Sequence, residues 1–140
     1  MSLLDQAADH GTDGQEVVTV GGRTIRMTVQ PMTDGDIEGA RSAAASRGRY
    51  ARNAIIQGAA AELFKVWAVI VRRRCRSIGG RVVLCLHDEL LVHVDVERAN
   101  EASDVVIDAL AEAAHYWSPT NEVRFVVDVS VVERWSDAKG

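Results

Sequence analysis

Leu84-Cys85-Leu86-His87-Asp88-Glu89-Leu90-Leu91-Val92 is the stretch on which the reading of this chain turns. Titratable residues interrupt a run that is otherwise apolar and strand-prone, so Val82–Leu86 and Leu90–Val96 read as two strands joined at His87-Asp88-Glu89. Strands with so little polar alternation are expected to be shielded on both faces. The neighbouring carboxylates of Asp88 and Glu89 repel each other, and a divalent cation at the hairpin tip would offset that repulsion. Asp also favours turns for its own reasons, so an ordinary acidic turn fits the same residues. Spacing alone leaves both readings open.

Upstream of the hairpin, Arg49 to about Cys75 reads as a helix closed by Gly79-Gly80. Ile56, Ala59, Ala60, Leu63, Val66, Trp67 and Ile70 recur at helical spacing, which predicts one buried stripe. Before it, Val17–Val20 and Thr24–Val29 are β-branched runs joined by Gly21-Gly22, the pattern of a hairpin ended by Pro31. Thr33 and Asp36 mark a helix start, and the Ala-rich stretch to Ser46 predicts a short helix interrupted at Gly48. Met1–Gln15, polar and glycine-punctuated, is expected to be a flexible tail. Downstream, Glu97 to about Trp117 is amphipathic, with Ala102, Val105, Val106, Ala109, Leu110 and Ala113 inward. Pro119 closes that helix, and Val123–Val132 reads as a last strand. The order ββ-α-α-ββ-α-β makes the class α+β, a small antiparallel sheet backed by helices.

The 140 residues suit one domain, with 47% apolar and 26% charged residues, the balance of a soluble globular chain able to bury a core. Two cysteines, Cys75 and Cys85, make neither a disulfide framework nor a zinc pattern, and a reducing, cytoplasmic setting is expected. Met1–Gln15 lacks the apolar segment of a signal peptide, and the longest apolar run, Val66–Val71, is far shorter than a membrane span, so no membrane partner is expected. The net charge of −4 conceals a basic block: ten basic residues and one acid, Glu62, lie between Arg41 and Arg81. Such a stripe suits a polyanion, nucleic acid first among them, and suits equally a solvated helix face.

Four separated segments resemble, in order and spacing, the C-terminal palm portion of family A (DNA polymerase I-type) DNA polymerases over about residues 16–140. LCLHDELLVHV resembles the family's His-Asp-Glu strand pair. RYARNAIIQGAAAE, Arg49 to Glu62, is similar to its R-x-x-x-N-x-x-x-Q-G-x-A-A-[DE] helix. VVTVGGR resembles its V-x-T-x-x-G-R hairpin, and VVDVSVVERWSDAKG its closing strand and terminus. The flavour is that of bacterial bifunctional 3′-5′ exonuclease/DNA polymerase proteins.

The resemblance implies roles. Asp88 would be the metal ligand, one of the carboxylates of a two-Mg²⁺ site for nucleotidyl transfer, with Glu89 tuning it and His87 near the primer-terminal phosphate. Arg49, Asn53 and Gln57 would contact the primer-template minor groove. They stand four apart on one helical face, and Asn and Gln suit acceptors shared by every base pair. Gly58, at a helix-propensity cost of about 1 kcal/mol, would permit close backbone approach. His93 matches no catalytic position and reads as strand surface or packing. The implied partners are primer-template DNA, a deoxynucleoside triphosphate, and the rest of the polymerase, in replication or repair in the bacterial cytoplasm.

Two parts of the family pattern have no counterpart here. The D-[YF]-S-x-x-E motif, with the other metal-binding Asp, does not occur, and the fingers helix is missing, the only lysines being Lys65 and Lys139. A chain with one metal carboxylate and no triphosphate clamp is expected to be inactive alone, and to self-associate through an open sheet edge. Ile55 replaces a common Pro, Arg134 a common Asn before Trp135, and Lys139 a common terminal His. Arg72-Arg73-Arg74 and Arg76 suit helix-dipole and solvent roles or a backbone phosphate. Trp67, Trp117 and Trp135 read as packing anchors. Two further readings remain: a non-catalytic DNA-binding or inert remnant, and a metal phosphohydrolase, which lacks the His/Asp cluster such sites need.

Overall fold

A computed structural model describes residues 2–28, 36–118 and 123–138. The chain divides into two compact units, Met1–Glu62 and Leu63–Gly140, and helix α2, Ile37–Cys75, carries the boundary.

In the first unit, the expected tail is instead helix α1, Leu3–Thr12. Ser2 and Asp5 form a capping box: the Asp5 amide donates to the Ser2 hydroxyl while the Asp5 carboxylate accepts from Ser2. Those Ser2 donors, with Arg52 beyond them at 3.1 Å, hold the Asp5 carboxyl below its ordinary range. Strands β1, Val17–Val18, and β2, Thr24–Ile25, pair antiparallel as the sequence predicts, though far shorter. Val29, Pro31 and Thr33 lie outside the described residues. Asp36 does cap α2, its carboxylate accepting from the Gly39 amide at 2.8 Å.

Gly48 does not interrupt the helix; α2 runs through it. The reason is packing. A Cβ on Gly48 would stand 2.5 Å from Thr12 Oγ1 and 2.9 Å from the Ala8 carbonyl oxygen, and one on buried Gly11 would stand 2.7 Å from the Arg47 oxygen. Gly48 is therefore where α1 lies against α2, and burial there outweighs an interior glycine's propensity cost. Ala7, Val17, Ala51 and Ile55 form this unit's core. The buried face thus runs through Ala51 and Ile55, whereas Ile56, assigned to it from spacing, is exposed.

In the second unit, α2 contributes Leu63, Trp67, Ile70, Val71 and Cys75 to a core shared with α3, Ala99–Trp117, which supplies Val106, Ala109, Leu110 and Ala113. After α2 a 3₁₀ turn, Arg76–Ile78, ends on Gly79 at φ 74°, a left-handed cap that glycine adopts without strain. Strands β3, Arg81–Leu86, and β4, Glu89–His93, pair antiparallel with a bulge between Val82 and Leu84. Val82, Leu90 and Val92 pack on the core, while Val83, Cys85 and Leu86 are exposed. The hairpin is therefore shielded on one face, not two; nothing among the described residues covers the other.

Residues 124–132 show no strand pairing among the described residues, against the expectation of a final strand. Their side chains still alternate: Phe125 and Val127 pack on the core and Val126 points outward. The period of 2 was legible, but a ladder needs a neighbouring strand. Trp67 is buried and Trp117 half-buried, but Trp135, in a terminal 3₁₀ turn, is 45% exposed. A window of α2 with mean hydropathy 1.6 has the length and apolarity of a membrane span, a third of it buried.

Candidate functional site

The polar ridge of α2 is present. Arg49, Asn53 and Gln57 follow one another at a helical spacing of four, and all are exposed. Asn53 and Gln57 line a groove of about 690 Å³ together with Arg23, Thr24, Ile25, Arg26, Tyr50, Ala54 and Gly58. Arg49 is exposed on the same helix but does not line the groove. Sequence reasoning assigned no role to Arg23, Arg26 or Tyr50. Arg23 closes the VVTVGGR motif, and only the folded hairpin places it across from the helix.

The close approach at Gly58 is made by the chain's own hairpin. A Cβ there would stand 2.5 Å from Thr19 Cγ2 and 3.1 Å from an Arg23 guanidinium nitrogen. Glu62 completes the junction. Its carboxylate accepts from the buried Thr19 hydroxyl, accepts from the Gly21 amide at 2.8 Å and pairs with Arg23 at 3.7 Å.

His87 and Asp88 form the two-residue turn between Leu86 and Glu89, which pair across it. His87 has φ 54°, the one described non-glycine residue with positive φ. A two-residue hairpin asks for left-handed backbone, which glycine usually supplies, so His87 holds strain of about 1–3 kcal/mol. His87, Asp88 and Glu89 are all exposed. Among the described residues no set of three or more His, Cys, Asp or Glu side chains converges on one point. The tip offers hard oxygen donors, the right chemistry for magnesium, but not a complete cage. His93 pairs with Arg81 across the ladder and is exposed, a strand-surface residue. Of the basic cluster, Arg73 at 3.0 Å and Arg74 both bind Glu112 of α3, which gives them a structural partner.

The sequence model of DNA polymerase family A matches residues 2–137. The chain belongs to that family. It is 36% identical over 92 residues to a thermostable DNA polymerase I of Thermus thermophilus, covering 66% of this chain and 10% of that protein. It is 36% identical over 110 residues to DNA polymerase I of Chloroflexus aurantiacus, covering 77% and 11%. Among solved structures it is similar to the POL domain of Pol1 from M. smegmatis, in complex with DNA primer-template and dNTP. That likeness has a TM-score of 0.59 and 33% identity, and covers 79% of this chain and 19% of the other. The chain thus spans about a tenth of the length of the relatives it matches.

Proposed function

We propose that this chain is the C-terminal palm portion of a DNA-directed DNA polymerase, supplying part of the site for nucleotidyl transfer in replication or repair. The observation that carries the proposal is the exposed carboxylate of Asp88, held at a tight hairpin turn and engaged by no other described side chain. Asp88 would hold magnesium, with Glu89 beside it and His87 near the primer-terminal phosphate. Bound magnesium supplies Lewis-acid activation of the primer 3′ oxygen and steadies the leaving pyrophosphate. Arg49, Asn53 and Gln57 would hold the primer-template minor groove, where acceptors common to all base pairs allow grip without sequence preference. The remaining metal carboxylate and the deoxynucleoside triphosphate clamp must come from polymerase segments outside this sequence. A bacterial cytoplasmic setting goes with this reading.

The test joins the chain to the absent palm and fingers segments of a family A polymerase and follows primer extension with Mg²⁺. Extension that is lost in Asp88→Ala supports the assignment; near-normal extension by that variant refutes it.

The basic block and the groove of α2 favour a second reading, a non-catalytic module that binds DNA. Titration of the chain with primed duplex at two salt concentrations separates it from an inert remnant. Steeply salt-dependent binding weakened by Arg49→Ala supports it, and no binding at low salt excludes it.

A further inference from the structure

Glu62 is the one acid in the block of ten basic residues between Arg41 and Arg81. A lone carboxylate beside a polyanion site lowers affinity for that polyanion unless it does something else there. In this chain it holds the β1–β2 turn against α2. Its two oxygens take the Thr19 hydroxyl and the Gly21 amide, and Arg23 lies at ion-pair distance. Thr19 is only 4% exposed, and its hydroxyl also accepts the Arg23 amide at 3.0 Å, so the clasp is fully hydrogen-bonded. Gly58 leaves room for Thr19 to reach the helix. The consequence is a groove with two walls: Arg23 and Arg26 from the hairpin, and Tyr50, Asn53 and Gln57 from the helix.

We infer that Glu62 is a positioning residue, clasping the β1–β2 turn so that Arg23 and Arg26 form a second, phosphate-facing wall opposite the Asn53–Gln57 ridge. The occupant is the sugar–phosphate backbone of a primed duplex, so the inference rests on the DNA-binding part of the proposed function. Asn and Gln reach groove acceptors, and guanidinium groups take phosphate oxygens in bidentate fashion. The Arg26 side chain is 88% exposed, and its pairing with Glu16 at 3.2 Å is a surface contact that a phosphate can replace.

The sign of the effect separates a clasp from a mere charge. If Glu62 acts only through its charge, Glu62→Ala and Glu62→Gln both tighten DNA binding by removing repulsion. If it acts as a clasp, Glu62→Ala binds about 10-fold more weakly despite its lost negative charge. Glu62→Gln, whose single carboxamide oxygen can accept from the Gly21 amide while its NH2 donates to the Thr19 hydroxyl oxygen, keeps the clasp bridged and binds more tightly than Glu62→Ala. Thr19→Val should follow Glu62→Ala, and Arg26→Ala should lower the slope of log affinity against log salt by about 1. The measurement is titration of the full chain with fluorescent primed duplex across a salt series. It is paired with hydrogen exchange at the Gly21 and Arg23 amides, which should lose protection in Glu62→Ala while the Trp67 core keeps its own.

A parent chain that binds while Glu62→Ala binds equally or more tightly overturns the clasp alone. So does retained Gly21 protection in Glu62→Ala. A parent chain that fails to bind at low salt overturns the DNA-binding reading and the inference with it.

Discussion

The Trp67 indole N–H donates to the main-chain oxygen of Val106 at 3.0 Å, buried between α2 and α3. Phe64 meets the same ring edge-on, with centroids 5.7 Å apart. Trp67 therefore contributes area, an aromatic pair and a hydrogen bond in the core of the second unit. Trp67→Phe keeps most of the area and loses the donor, which should cost about 1–2 kcal/mol. Trp67→Ala should cost about 3–5 kcal/mol. Urea unfolding followed by circular dichroism reads both, and a Trp67→Phe variant as unstable as Trp67→Ala would show that the hydrogen bond, not the area, dominates.

The small residues where α1 meets α2 make the second prediction. Gly→Ala in a helix interior ordinarily gains up to about 1 kcal/mol. At Gly11 the added methyl would meet main-chain oxygen and the Ala51 methyl, and at Gly48 it would meet the Ala8 oxygen. Backbone atoms cannot swing away as a flexible side chain can, so both substitutions should destabilise the first unit by about 1–3 kcal/mol. Thermal melts of the two variants check this. A rise in melting temperature for either would mean that α1 is not packed on α2 at that position.

What the sequence revealed follows from what is local. The period of α3, the β3–β4 hairpin and the Gly79 stop each depend on neighbours in the chain, and each was legible. Gly48 misled because its helix-breaking tendency is local, while the burial that overrides it comes from α1, which composition marked as a tail. Ile56 misled by one position, since a stripe of 3.6 period can be drawn through Ile55 or Ile56 until the packing partner is known. The exposed ridge Arg49-Asn53-Gln57 was legible because it is one face of one helix. Arg23, Arg26 and Glu62 were not, because their grouping needs the hairpin to fold back over residues some 40 positions away.

His87 at φ 54° supports a third prediction. Glycine adopts this conformation without steric penalty, and alanine does not. His87→Gly should therefore stabilise the hairpin by about 1 kcal/mol, while His87→Ala should leave its stability near the parent's or below it. If the imidazole also places the primer-terminal phosphate, His87→Gly in a reassembled polymerase combines higher stability with slower extension. Urea midpoints and primer-extension rates measure the two effects separately, and a destabilised His87→Gly would contradict the strain.

Cys75 and Cys85 should behave as opposites. Cys75 is fully buried at the end of α2, and Cys85 is exposed on β3. In the folded chain a thiol reagent should modify one cysteine quickly, with the second following only on unfolding, and peptide mapping should place the fast adduct on Cys85. Burial pushes the Cys75 thiol above its ordinary pKa, because a thiolate there would lose its hydration. The folded chain then keeps a proton that the unfolded chain releases at about pH 8.5. The contribution of Cys75 is fully present below that pH and declines as pH rises from there toward the raised folded value. Urea stability should fall between pH 7.5 and 9.5 in the parent, and Cys75→Ala, though less stable throughout, should show a shallower fall over the same interval. An equal fall in both would place the alkaline sensitivity in another group.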